Sequence, residues 1–392
     1  MNDVSQRTPP AWSAVFSMTL GVFGLVTAEF LPVSLLTPMA ADLAITEGMA
    51  GQAVTATAAV ALVTSLLITA ATRRIDRRYV LLAFSGLLVI SNLLVAYAPN
   101  MPSLLLGRVL LGVALGGFWT MSAATVMRLV PEDSVPRALS MIFSGVSVAT
   151  IVAAPMGSFF GEIIGWRNVF LIAALFGALA FLVQLATLPR MAPNARTRLK
   201  TLFEVLQRPM VGLGMLAAAM IFAGHFAFFT YIRPFLETVT RVDVNGMSSI
   251  LLGFGLANFL GTFLGGFMLE RNMRLTQIVM PATMGILGLG LAGVGGVPLL
   301  DAMMIALWGM AFGTVPVAWS TWLTRTVPDE AESAGGLLVA AIQFAIASGA
   351  AVGGLIFDAG GAIGVFMVSG SVLLLAALLI LFGIKAQTAA AT

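Results

Sequence analysis

Apolar residues fill this chain in blocks of roughly twenty, the length an α-helix needs to cross a hydrocarbon core of about 30 Å. Charged residues fall mostly in the gaps between the blocks. The blocks predict twelve helices, near residues 13–38, 48–70, 79–98, 103–126, 137–161, 168–188, 210–236, 247–268, 275–295, 299–322, 334–356 and 362–384. The first run, from Trp12 to Leu36, is too long for a signal-peptide core and leads straight into further spans, so it reads as a retained first helix. The expected fold class is an all-α integral membrane protein with twelve transmembrane helices.

Basic residues then orient the bundle. With a cytoplasmic N-terminus, Arg7, Arg73, Arg74, Arg77, Arg78, Arg128, Arg137, Arg190, Arg196, Arg198, Lys200, Arg208, Arg271, Arg274, Arg325 and Lys385 lie on the inner side. Only Arg167, Arg233 and Arg241 lie on the outer side. This positive-inside bias predicts that both termini face the cytoplasm.

An internal repeat is visible at half the chain length. Arg128-Leu-Val-Pro-Glu-Asp133 returns as Arg325-Thr-Val-Pro-Asp-Glu330, and Gly48-Met49 returns as Gly246-Met247. Gly165-Trp-Arg-Asn-Val-Phe170 has a weaker echo in Gly361-Ala-Ile-Gly-Val-Phe366. Three matches in one order at one offset predict two pseudo-symmetric six-helix halves, 1–188 and 210–392, joined by a basic cytoplasmic linker at 189–209. In such an arrangement a substrate site lies near the midplane, between the halves.

Composition narrows the chemistry. Of 392 residues 59% are apolar and only 9% charged, against about 25% charged in an ordinary soluble domain. The absence of cysteine excludes disulfides, iron–sulfur clusters and thiol catalysis. One histidine argues against a transition-metal site, and neither lysine, Lys200 or Lys385, follows the glycine that a Walker A loop needs. No metal, cofactor or enzymatic activity is expected. The net charge of +3 does not point to nucleic acid, because the basic residues sit in short loops. The expected partners are membrane lipid, a small solute and protons, and the expected state is a monomer.

Deep inside the spans the formal charges are Glu29 and Arg108, with His225 a third when protonated. A charge near the bilayer centre costs about 2.5–3.5 kcal/mol on insertion scales, so such residues mark a substrate or proton path. Glu29 lies three residues before Pro32, whose missing N–H loosens the local hydrogen-bond ladder. At about 1.5 Å per residue, Glu29 and Arg108 differ in depth by about 6 Å, within side-chain reach. A pair that engages and separates would take up and release a proton; the alternative is a fixed ion pair that only orders the bundle. His225, at roughly the repeat position of Glu29, is a proton site, a donor to substrate, or a neutral histidine satisfied by a neighbouring helix.

Candidate substrate contacts are aromatic planes beside polar groups, which suit a flat heterocycle. They are Phe118, Trp119 and Ser122 in the fourth helix, Phe228, Phe229 and Tyr231 in the seventh, and Trp319 in the tenth, with Asn258 and Gln343 as midspan polar candidates. Packing is the competing role for each aromatic, since 26 Phe are spread through the chain. Gly112, with Gly116 and Gly117, permits close helix approach, and Pro155 beside Gly157 places a kink next to such a face. These positions pack helices or seal a gate. The loop Arg73-Arg74-Ile75-Asp76-Arg77-Arg78 either braces helix ends, through Asp76 and Arg77, or serves only topology.

Arg108-x-x-x-Gly112 resembles the helix-4 motif of the major facilitator superfamily, in its drug:proton antiporter branch with twelve spans. That resemblance implies a role for the arginine in proton coupling. Ala154-Pro155-x-Gly157 resembles the branch's helix-5 motif, with Ala154 where glycine is usual. The loop before Arg77-Arg78 departs from the family pattern, with Thr69 at an expected glycine and Arg73 at an expected aspartate. Segments 28–43, 116–123, 128–143, 157–170, 226–234 and 316–326 resemble the nucleoside-exporting members of that branch. This implies export of inosine- or guanosine-like purine ribonucleosides in exchange for protons across the bacterial inner membrane. A multidrug or sugar exporter is the alternative within the superfamily, and a non-transporting receptor or membrane enzyme the alternative outside it.

Overall fold

The computed structural model describes residues 11–131, 134–192, 204–208, 210–327 and 331–383. Arg7, Arg196, Arg198, Lys200 and Lys385, and parts of the 128–133 and 325–330 repeat motifs, lie outside the described residues. The spans of the first half are α1 (Trp12–Ser34), α2 (Glu47–Ala71), α3 (Arg77–Ala96), α4 (Met101–Leu129), α5 (Val135–Ile164) and α6 (Trp166–Thr187). Those of the second half begin with α7 (Val211–Thr230), α8 (Val244–Leu269), α9 (Arg271–Val294) and α10 (Pro298–Thr326). The last helical run, Ala331–Gly383, is broken at Gly361 (φ 66°, ψ −169°) into α11 (331–360) and α12 (362–383). Among the described residues eleven helices are long and apolar enough to cross a membrane, and the last of them is this double-length run, which gives twelve spans.

Polar caps set the starts of several spans. Thr46, Asp76, Asn100 and Asp243 each accept a backbone N–H from the first turn of the helix that follows, at 2.8–3.1 Å. Without such a side chain these N–H groups would be unsatisfied at the edge of a medium that offers no water. Asn272, with extended backbone (φ −159°), interrupts helical geometry between α8 and α9 and caps the N–H of Leu275. Two span endings differ from expectation. The first helix breaks at Leu35 and continues as a short turn, Leu36–Asp42, while the seventh ends at Thr230, followed by Ile232–Phe235 and a π-turn over Leu236–Thr240. Pro32 and Pro234 lie beside these breaks, where a missing N–H weakens the ladder.

The repeat has a structural counterpart. Gly48 and Gly246 lie in the first turns of α2 and α8, the second helix of each half. Gly165 and Gly361 both have positive φ, 81° and 66°, and each joins the fifth span of its half to the sixth. Only glycine adopts that backbone without strain.

Within each half, helices approach through glycine. A side chain at Gly112 or Gly116 would strike the α2 backbone around Thr57 and Ala61, and one at Gly261 would strike the α10 backbone at Met310. Gly157 faces Ser34 and Leu31 of α1, next to the buried Pro155. At the end of the bundle nearest Trp12, the Asp76 carboxylate accepts the Met191 N–H at 2.9 and 3.0 Å, and the Arg77 N–H donates to Met191 O at 3.0 Å. Arg128 Nη1 donates to Ala192 O at 2.8 Å. The chain leaving α6 is thus strapped to the α2–α3 loop, and the buried Arg77 side chain turns inward to Thr72 and Met121. At the opposite end Asp42 meets Arg167 and Trp166, and the hydrogen bond from Arg167 holds its carboxyl below the usual range.

Close helix approach gives a direct test. Gly261→Ala should lower the apparent melting temperature of the protein in detergent, because forcing a methyl against backbone costs about 1–3 kcal/mol. Gly266→Ala, whose added carbon meets nothing within 4 Å, should leave it unchanged or slightly raised. Equal melting of both variants would show that α8 does not depend on contact at Gly261.

Candidate substrate and coupling site

The site begins with an arginine that has no free partner to choose. Pro32 has no N–H to give to Ala28 O, its helical partner four residues earlier. Arg108 Nη1 takes that carbonyl at 2.8 Å, Nη2 reaches Glu29 O at 3.4 Å, and Nε donates to Ala53 O at 3.1 Å. The guanidinium is completely buried and ties α1, α2 and α4 together through carbonyl oxygens. It forms no ion pair with the Glu29 carboxylate. Glu29, 8% exposed, has no hydrogen-bond or ion-pair partner among the described residues. The expected Glu29–Arg108 proximity is therefore present through the Glu29 backbone, and the carboxyl is left open.

Beside Glu29, Phe30 crosses to the other half. Its ring lies 5.5 Å from Phe229, edge-on, and 6.5 Å from Phe226. Phe229 in turn lies 5.6 Å from His225 and 5.2 Å from Phe254. The centre of the molecule thus holds a carboxyl on α1 next to an aromatic cluster built mainly from α7, α8 and α10. Gln343 on α11 is 96% buried and, like Glu29, has no hydrogen-bond partner among the described residues.

The remaining substrate candidates fall into other environments. Phe118 is fully buried in the first-half core against Gly21, and the Ser122 hydroxyl is taken by Phe118 O of its own helix. Phe228 is stacked on Trp308 at 3.8 Å, and Trp319 packs edge-on against Trp322 at 5.3 Å, both inside the second half. Asn258 Nδ2 donates to Gly309 O at 3.3 Å, joining α8 to α10. Trp119 is half-buried and stacks on the exposed ring of Phe143 at 5.8 Å. Phe30, Phe143, Phe312 and Trp308 were not singled out by sequence. Nothing but contact across helices distinguishes them from other aromatic residues.

A group of hydrogen bonds joins the halves toward the end remote from Trp12. Asp358 of α11 accepts from Thr46 Oγ1 (3.1 Å) and Gly48 N (3.2 Å) at the start of α2. Thr37 donates to Glu237 at 2.5 Å, Arg233 donates to Glu237 at 2.8 Å, and Arg233 also donates to Ser34 O. Tyr231, fully buried, donates to Ala350 O (3.3 Å) and Gly48 O (3.5 Å) and stacks on Phe357. Side chains at Gly51 or Gly354 would fall on its hydroxyl. Tyr231 therefore belongs to this seal between α2 and α11.

Two six-helix halves sealed at one end, with a buried carboxyl on α1 beside a ring that bridges them, are the architecture of a multi-pass membrane transporter. The chain belongs to the Major Facilitator Superfamily, whose description matches residues 18–346. It is 49% identical over 378 residues, 96% of each chain, to the purine ribonucleoside efflux pump of Shigella dysenteriae serotype 1 (strain Sd197). Identity to the purine ribonucleoside efflux pump of Escherichia coli (strain K12) is 48%, with 96% of each chain covered. Among solved structures, the xylose transporter XylE from E. coli in a partially occluded inward open conformation aligns with a TM-score of 0.76 at 14% identity, covering 98% of this chain and 100% of that one. At that identity the likeness speaks for the fold alone.

The seal carries its own prediction. Losing a hydrogen bond to a charged group costs about 1.5–3 kcal/mol. Glu237→Gln should therefore shift the balance of sealed and unsealed forms by tenfold or more. Spin labels on cysteines introduced at Ala41 and Asn245, both exposed in this naturally cysteine-free chain, should report a longer-distance population. An unchanged distance distribution would remove Glu237 from the seal.

Proposed function

We propose that this protein is a proton-coupled antiporter that exports purine ribonucleosides across the bacterial inner membrane, with the end nearest Trp12 in the cytoplasm. The observation that carries the coupling is Glu29: a buried carboxyl on α1 with no fixed partner, adjacent in the chain to Phe30, which bridges the halves. Because Arg108 is satisfied by carbonyl oxygens, it lends positive charge without locking the carboxylate in an ion pair. Glu29 is thereby free to exchange a proton for substrate. Arg108 holds the helices that present it.

The two halves, 1–188 and 210–392, would rock about this centre, with the 189–209 segment joining them on the cytoplasmic side. The far-end bonds through Asp358, Tyr231, Arg233 and Glu237 then form the outer gate in its closed state, which corresponds to an inward-facing carrier. Substrate identity rests on the relatives' described activity and on the aromatic surface around Phe30, Phe226 and Phe229, on which a flat base can stack. Of the positions singled out from sequence, we retain Glu29, Arg108, Phe229 and Gln343 at the site, and assign Gly112, Pro155 and Gly157 to helix packing.

Two experiments test the reading. In proteoliposomes, Glu29→Gln should still bind inosine yet lose uphill transport driven by a proton gradient. Proton and nucleoside exclude each other in an antiporter, so wild-type affinity for inosine should rise with pH and that slope should vanish in the variant. Gradient-driven accumulation by Glu29→Gln at the wild-type rate would remove Glu29 as the carrier. For orientation, cysteines at Asn100 and Leu299, both exposed at the far end, should react from outside intact cells. A cysteine at Ala71 should react only after permeabilisation; the reverse pattern would invert the topology.

A further inference from the structure

His225 is restricted on several sides. Phe312 stacks on it with ring centroids 3.3 Å apart, Phe229 and Phe254 lie nearly parallel at 5.6 and 6.3 Å, and Phe226 meets it edge-on at 5.1 Å. Its Nδ1 accepts the indole N–H of Trp308 at 3.1 Å. An indole N–H can only donate, so Nδ1 presents its lone pair and the ring proton resides on Nε2. Trp308 is fully buried, stacked on Phe228 at 3.8 Å and close to Gly288, and has no room to turn away. Nε2 has no hydrogen-bond partner among the described residues.

We infer that Trp308 locks His225 as an Nε2–H donor and that this donor reads the N7 acceptor of the purine base. The inference rests on the nucleoside reading above and names how that site selects its substrate class. The rings packed on His225 are phenyl groups, which accept no conventional hydrogen bond. A ribose hydroxyl placed there would bring an O–H with nothing to receive it, and an unmet buried donor is costly. A ring nitrogen is a pure acceptor and leaves nothing unpaired. N7 is presented by adenine and guanine alike, whereas the corresponding edges of the pyrimidines show an amino donor or a carbonyl and a methyl group. The lock therefore requires an acceptor on the base, which purines supply at N7 and which the amino group of cytosine cannot be. His225 is the specificity-determining contact and Trp308 a positioning residue that acts through it.

The test is equilibrium binding of inosine and 7-deazainosine, in which C–H replaces N7, to the full-length protein in detergent. Wild type should prefer inosine by tenfold or more, since a site built to hydrogen-bond an atom rejects the analogue lacking it. His225→Phe should bind both ligands alike. Trp308→Phe keeps an aromatic ring but frees the tautomer, so the preference should shrink at least threefold. A packing lesion weakens both ligands together, so the ratio reports the hydrogen bond alone. Wild type that binds both nucleosides equally would overturn the inference while leaving nucleoside export standing. Wild type that binds no inosine would overturn both. A ratio retained in His225→Phe would also overturn it, and one retained in Trp308→Phe would overturn the lock. The wild-type comparison needs no variant to fold.

Discussion

Everything at the centre of this molecule depends on how one cation is satisfied where water is absent. A bilayer leaves no alternative partner for an exposed donor or carbonyl, so each must be met from within the protein. Arg108 has five donors and forms no ion pair, yet three of its nitrogens find carbonyl oxygens on α1 and α2. One of those oxygens, on Ala28, is available because Pro32 cannot bond to it. The proline and the arginine are therefore one device: the first opens a gap in the helix ladder, and the second closes it from another helix. Its consequence is chemical as well as structural. With the guanidinium held by dipoles, the neighbouring carboxyl of Glu29 stays unpaired, which a direct salt bridge would have prevented.

The same constraint explains the seal. Tyr231 follows the end of α7, where the chain has left helical geometry, and its hydroxyl meets carbonyls of Ala350 and Gly48. It fits because Gly51 and Gly354 carry no side chain. Asp358 meets the first turn of α2, where a carboxylate is favoured by unpaired N–H groups and the helix dipole. These polar contacts sit on an apolar interface, in which Val33, Leu36, Ala50, Val54 and Ala58 share one core with residues of the second half.

Much of the architecture was legible in sequence because membrane physics writes it there directly. Span length follows from bilayer thickness, and the fifth-to-sixth helix junctions were marked by Gly165 and Gly361, whose backbone only glycine adopts readily. Glu29 and Arg108 stood out because charge inside a span is rare. The aromatic site was less legible. Trp319, Phe228 and Phe118 have the residue types that suit a base, but they face their own half. Phe30 looks like one more apolar residue in a helix, and only the approach of α7 shows that it bridges the halves. Apolar periodicity weakens as a guide when lipid and core are both apolar, since it no longer separates inside from outside. Proline's effect on Arg108 was also hidden, because it acts through a carbonyl oxygen and not a side chain.

The repeat exposes a division of labour between the halves. By the offset that relates Arg128 to Arg325, the counterpart of Arg108 falls at Ile305, fully buried in apolar surroundings. The second half thus has no charged staple there; one turn further along α10, Trp308 makes the polar contact instead, to His225. His225 itself lies near the repeat position of Glu29, so equivalent places in the two halves hold a carboxyl without a partner and an imidazole with one nitrogen fixed. A group that must change protonation needs freedom from strong fixed partners, and a group that must recognise an atom needs its proton held in one place. Two halves built on one repeated pattern can meet these opposed demands by keeping the fold and changing the partner: carbonyls beside an open acid in the first, an indole against a fixed imidazole in the second.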